Sequence, residues 1–167
     1  MEIERKFAIK KFPGKLDGYQ QKKIEQGYLC NNPILRIRKS NDKYILTYKS
    51  KFGLDDSNST AIVSNETELM LTDGAYETLK SKTEGNIIKK TRYIIPLDGE
   101  LIAELDVFEG GLSGLVFVEV EFPDEEAAEK FIPPEWFGED LSKDERFGNY
   151  YLSKLNSIDD LWLRKIH

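Results

Sequence analysis

The chain has 167 residues, 40% of them hydrophobic and 32% charged, with 30 acidic against 24 basic side chains and a formal net charge of -6. That length buries a core without disulfides or a metal, so a single domain spanning 1–167 is expected; a mean hydropathy of -0.50, with no apolar run near ~18 residues, excludes a helical membrane span. A pI near 5.0 argues against nucleic acid as a partner, and the lone cysteine, Cys30, and lone histidine, His167, exclude an internal disulfide, a Ser-His-Asp triad, a Cys-His dyad and a His-ligated zinc site.

The opening Met-Glu-Ile-Glu-Arg-Lys lacks the basic-then-apolar pattern of a secretory leader, and with a single cysteine this points to a reducing cytoplasm. Strand-like alternation then covers about 2–9, 22–30, 34–39, 43–50, 60–70, 86–97, 100–109 and 114–122. Asn41-Asp42, Asp98-Gly99 and the stretch from Gly110 to Gly114 read as hairpin turns, which makes neighbouring strands antiparallel. A helix is expected over 73–82, with Leu71, Ala75 and Leu79 on one stripe. A second follows Pro123, where Asp124, Glu125 and Glu126 suit a helix N-terminus, and a shorter one follows Gly148-Asn149.

Alternate residues on a strand share one face, and here that face carries charge in pairs. Glu2, Glu4 and Lys6 alternate with Ile3, Arg5 and Phe7; Arg36 and Arg38 with Leu35 and Ile37; Glu66 and Glu68 with Thr67 and Leu69. Lys90 and Arg92, Glu104 and Asp106, and Glu119 and Glu121 repeat the pattern, and Lys49 adds a further cation. A solvated sheet face explains any one such strand. Pure acidic and pure basic pairs on so many strands point instead to a sheet closed on itself around an ionised lumen, which must pair its charges and bind something. The carboxylates outnumber the cations by two. Divalent metal ions would reverse that balance and admit a metal-chelating anion, and carboxylates without His or Cys select hard ions such as Mg²⁺ or Mn²⁺.

The order of these segments resembles the CYTH, or triphosphate tunnel metalloenzyme, family. Glu2-Ile3-Glu4-Arg5-Lys6 is similar to its ExExK signature. Gln26-Gly27-Tyr28-Leu29, Leu35-Arg36-Ile37-Arg38, Leu46-Thr47-Tyr48-Lys49, Glu66-Thr67-Glu68, Lys90-Thr91-Arg92-Tyr93, Glu104-Leu105-Asp106-Val107-Phe108 and Leu115 through Glu121 follow in the family's order, and Asp144 through Leu152 is similar to its closing motif. The resemblance implies an α+β, mainly β fold: a closed antiparallel β-tunnel of about eight strands with a charged lumen and a few flanking helices. It implies Glu2, Glu4, Asp106, Glu119 and Glu121 as metal carboxylates, and Lys6, Arg36, Arg38, Lys90 and Arg92 as the phosphate cradle. Glu66, Glu68 and Glu104 fit as supporting partners or a second metal site. The family often has Arg before the glutamate pair, where this chain has Asn65.

A Lys at the position of Lys49 is associated in the family with activating water. Desolvated among other cations, such a lysine has a lowered pKa and a neutral amine able to act as a base; the alternative is another phosphate contact. Tyr28, beside Gly27, is read as a lid or base at the tunnel entrance, with core packing as its alternative. The resemblance implies metal-dependent hydrolysis of a triphosphate by in-line attack of water. Inorganic tripolyphosphate is expected as the substrate, because no aromatic or hydrogen-bonding cluster specifies adenine or thiamine. Class IV adenylyl cyclase and thiamine or nucleoside triphosphatase are the alternatives within the family, a polyphosphate- or nucleotide-binding module is the non-enzymatic one, and a homodimer is left open.

Overall fold

A computed structural model describes residues 1–165, with side chains through Leu161; His167 lies outside the described residues. The alternating segments become β1 (Glu2–Ile9), β2 (Gln20–Asn31), β3 (Ile34–Ser40), β4 (Lys43–Ser50), β5 (Ile62–Leu71), β6 (Glu84–Pro96), β7 (Ile102–Phe108) and β8 (Val116–Glu121). They hydrogen-bond in the order β5-β4-β3-β2-β6-β7-β8-β1, and pairing of β1 with β5 closes the ring. Every pairing is antiparallel, so the closed tunnel expected from the alternation is present. Closure rests on a short seam, Glu2 to Glu4 of β1 against Ser64 to Ile62 of β5.

A ninth strand, β9 (Phe137–Asp140), joins β1 through Phe7 and Ile9. Its four residues are too few for a period-two pattern to stand out, and the sequence reading missed it.

α1 (Asp73–Lys80) starts where the Thr72 side chain accepts from the Ala75 amide. Its buried anchor is Tyr76 rather than the Ala75 and Leu79 stripe: the Tyr76 hydroxyl donates to Glu25 at 2.9 Å and its ring packs on Tyr44. α2 (Glu125–Lys130) is capped by Asp124. α3 (Asn149–Ser153) and α4 (Ile158–Lys165) follow near the C-terminus. Gly85 of β6 has φ +68, and a Cβ there would lie 2.6 Å from the Ser153 carbonyl oxygen; glycine is what lets α3 dock this closely.

The apolar residues bury in two places. Ile3, Phe7, Leu105, Val118 and Val120 point out of the barrel and are covered by Ala128 of α2 and Phe137 of β9. Tyr28, Ile88, Phe108 and Phe117 occupy lumen-facing positions, in register with Arg36, Gln26, Lys90 and Asp106 respectively. They pack with Phe147, Leu152, Leu155 and Leu161. One end of the interior is therefore an apolar plug carrying α3, and the ionised lumen is confined to the remainder. Lys6 and Lys90 mark the boundary, their ammonium groups 4.4 Å and 5.3 Å from the ring centroids of Phe117 and Phe108.

Candidate active site

The remainder is a cavity of about 1130 Å³. Of the residues singled out by the sequence, Glu2, Glu4, Lys6, Tyr28, Arg36, Arg38, Lys49, Glu66, Glu68, Arg92, Glu104, Glu119 and Glu121 all line it. They come from every strand of the ring, because cross-strand partners in an antiparallel sheet share a face: Glu4 lies opposite Glu121, Lys6 and Glu104 opposite Glu119, and Lys49 opposite Glu66.

Lys90 and Asp106 are the exceptions, for neither lines the cavity. Both side chains are fully buried and sit 2.8 Å apart, outside the cavity lining. Arg92 grips Asp106 through Nε and Nη2 at 2.8 and 3.0 Å, and Lys90 also donates to Asn149 Oδ1 of α3. Burial disfavours the Asp106 carboxylate, but Arg92 and Lys90 override it and hold the group well below the usual carboxylate range. Burial pushes Lys90 down to about 7 against the pull of Asp106, with Arg92 and Arg38 pushing the same way. In this arrangement Asp106 is engaged by Arg92 and Lys90, and Lys90 by Asp106 and Asn149. Together they are a buried support for Arg92, whose Nη1 reaches Glu104 at 3.1 Å.

Lys49 also departs from expectation. Its ammonium lies 2.7 Å from Glu2 Oε1 and 3.2 Å from Glu4 Oε1. Burial works against the charge, yet Glu4 and Glu2 raise the Lys49 pKa above its ordinary value. The nearest charged neighbours are carboxylates, brought over by barrel closure, where the sequence suggested cations. Tyr28 is no lid. It is buried in the wall, edge-on to Tyr150 at 5.7 Å, with its hydroxyl accepting from Gln26 Nε2.

The other cations are held in distinct ways. Arg36 Nη2 donates to Thr47 at 3.2 Å and lies 3.6 Å from Glu66. Lys6 donates to the Phe147 carbonyl at 2.6 Å and stands 3.9 Å from Glu119. Arg38 gives both Nε and Nη2 to Gln26 Oε1, and burial, with Arg36 and Arg92 nearby, pushes it down to about 9. Gln26, Thr47 and Asn149 stood inside the family-like segments of the sequence but were given no role there, because an uncharged side chain does not stand out in a pattern read from charge pairs.

The carboxylates crowd each other. Burial first, then Glu66, raises Glu2; burial first, then Glu2, Glu104 and Glu4, raises Glu121. Glu2 Oε1 is buried and, although close to Lys49, lacks a partner of hydrogen-bond geometry. Among the described residues no three such side chains already converge as a metal cage. The donor set nonetheless fits a hard divalent cation: all oxygen, in mutual repulsion, with an under-coordinated buried oxygen and an ammonium wedged where positive charge is wanted.

The same crowding sets a pH dependence for the metal-free protein. A carboxyl whose pKa is raised on folding contributes stability that is complete below its unfolded value and is lost as pH rises through the folded one. Melting temperature in chelator is therefore expected to rise from pH 7 to pH 5, with a shallower rise for Glu121→Gln; scanning calorimetry across that window checks it. A melting temperature that falls from pH 7 to pH 5 would remove the repulsive cluster from the account.

A closed β-tunnel with arginines and carboxylates on one lumen is an enclosed, ionised cavity suited to a small polyanion. The CYTH domain model matches residues 1–156, and the chain belongs to the CYTH domain family. It is 43% identical over 157 residues to an inorganic triphosphatase of Nitrosomonas europaea, across 91% of this chain and 96% of that protein. It is 34% identical over 160 residues to one of Acetivibrio thermocellus, across 92% and 93%. Among solved structures, a crystal structure of an inorganic triphosphatase aligns with a TM-score of 0.67 at 38% identity, over 94% of this chain and 97% of its own. Among the described residues no helix is long and apolar enough to cross a membrane.

Proposed function

We propose that this chain is a divalent-metal-dependent triphosphatase that hydrolyses inorganic tripolyphosphate to phosphate and pyrophosphate in the cytoplasm. The observation that carries the reading is the convergence of Arg36, Arg38 and Arg92 on a cavity whose other walls hold Glu2, Glu4, Glu66 and Glu121. The names of the relatives at 43% and 34% identity support the substrate.

The guanidinium groups bind and orient the phosphoryl oxygens through charge-assisted hydrogen bonds, and the positive charge of Arg36 in addition stabilises what builds up on those oxygens during in-line displacement. Lys6, pinned by the Phe147 carbonyl, adds a point charge at the inner end. Glu2, Glu4, Glu119 and Glu121 would hold Mg²⁺ or Mn²⁺, with Glu66, Glu68 and Glu104 as supporting carboxylates. When bound, the ion supplies Lewis-acid polarisation of phosphoryl oxygens and lowers the pKa of water. Lys49, protonated, balances Glu2 and Glu4 rather than abstracting a proton.

Phosphate release from tripolyphosphate is expected to stop in excess EDTA and to return with added Mg²⁺ or Mn²⁺, followed by a colorimetric phosphate assay. Full turnover by protein shown by elemental analysis to be metal-free would contradict the proposal.

A further inference from the structure

Of the three lumen-facing arginines Arg36, Arg38 and Arg92, Arg38 is held by a neutral group with no carboxylate beside it among the described residues. Arg92 is gripped by Asp106 and Glu104, and Arg36 lies against Glu66; among the described residues Arg38 makes no ion pair. Its Nε and Nη2 instead both donate to Oε1 of Gln26, at 3.1 and 2.9 Å. Gln26 is fully buried, and its Nε2 donates to the Tyr28 hydroxyl at 3.1 Å. The register places Gln26 between Arg38 of β3 and Ile88 of β6, and the amide is held at Oε1 by Arg38 and at Nε2 by the Tyr28 hydroxyl. With Nε2 given to Tyr28, the amide presents its oxygen to Arg38.

We infer that Gln26 is the positioning residue that aims the Arg38 guanidinium into the tunnel while leaving its charge undiminished for the substrate. A carboxylate in the same place would hold the fork equally well but neutralise it, as Asp106 does for Arg92. An aliphatic side chain would leave the charge and lose the aim. A glutamine does both jobs, and Nη1 of Arg38 is left out of the Gln26 contacts for a phosphoryl oxygen. The inference rests on the reading of the cavity as a triphosphate site and names the group that makes Arg38 effective there.

A double-mutant cycle on tripolyphosphate hydrolysis tests it. Gln26→Met, close in volume, is expected to raise KM about tenfold with little change in kcat, the pattern of a lost binding interaction to a charged group. In an Arg38→Ala background the same change is expected to alter KM by less than about twofold, because its effect passes through Arg38. A tenfold loss in both backgrounds, or a wild-type KM for Gln26→Met, overturns the inference. If Gln26→Met does not fold, Gln26→Glu decides: it keeps the acceptor and adds a charge, so a raised KM supports the inference and a wild-type KM overturns it. Should Arg38→Ala itself keep wild-type kinetics, the phosphate cradle fails and the inference falls with it, an outcome distinct from failure at Gln26 alone.

Discussion

Asp106→Ala is expected to lose roughly 3–5 kcal/mol of folding stability, the usual consequence of removing one partner from a buried ion pair. Asp106 is fully buried and takes three donors from two cations, Lys90 Nζ, Arg92 Nε and Arg92 Nη2. Without it, the Arg92 guanidinium loses its buried counter-charge and Lys90 is left without its partner in a wall of low polarity beside Phe108. A metal-binding carboxylate in the repulsive lumen would behave in the opposite sense, since its removal relieves crowding in the metal-free protein. Urea denaturation in chelator separates the two: a large fall in midpoint supports the buried-support role, and an unchanged or raised midpoint returns Asp106 to the metal site.

Arg36→Ala is expected to lower kcat/KM for tripolyphosphate by roughly 10²–10³-fold, the range seen when a donor to a developing oxyanion is lost. The guanidinium is held by Thr47 and Glu66 at the cavity wall, and alanine removes its charge-assisted donors together. Arg36→Lys restores the charge but not the planar fork, so it should fall between the two. Steady-state kinetics with the fold confirmed by circular dichroism reads this directly. Activity within threefold of wild type for Arg36→Ala would place the substrate elsewhere in the cavity.

Period-two charge pairs made the tunnel legible, because a closed antiparallel ring turns alternation along each strand into one continuous inner face. That logic placed Glu2, Arg36, Glu66, Arg92 and Glu121 around one cavity although they lie far apart in sequence. It could not distinguish Glu104 from Asp106, two residues apart on the same face of β7; only the docking of α3 and the apolar plug seals one and leaves the other open. Nor could it give Lys49 its neighbours, since Glu2 and Glu4 reach it through closure of β1 against β5. Tyr28 lies on the lumen-facing stripe as alternation requires, but at the plugged end. Gln26, uncharged, stood in one of the family-like segments without a role of its own; its part emerges from the two hydrogen bonds it accepts from Arg38.

The central claim is that this tunnel hydrolyses a triphosphate, and the products decide it. With Mg²⁺ or Mn²⁺, tripolyphosphate is expected to yield phosphate and pyrophosphate in equal amounts, and ATP is expected to yield no cyclic AMP, both followed by ion chromatography. Cyclic AMP with pyrophosphate from ATP, or tight binding of tripolyphosphate without any release of phosphate, would contradict it.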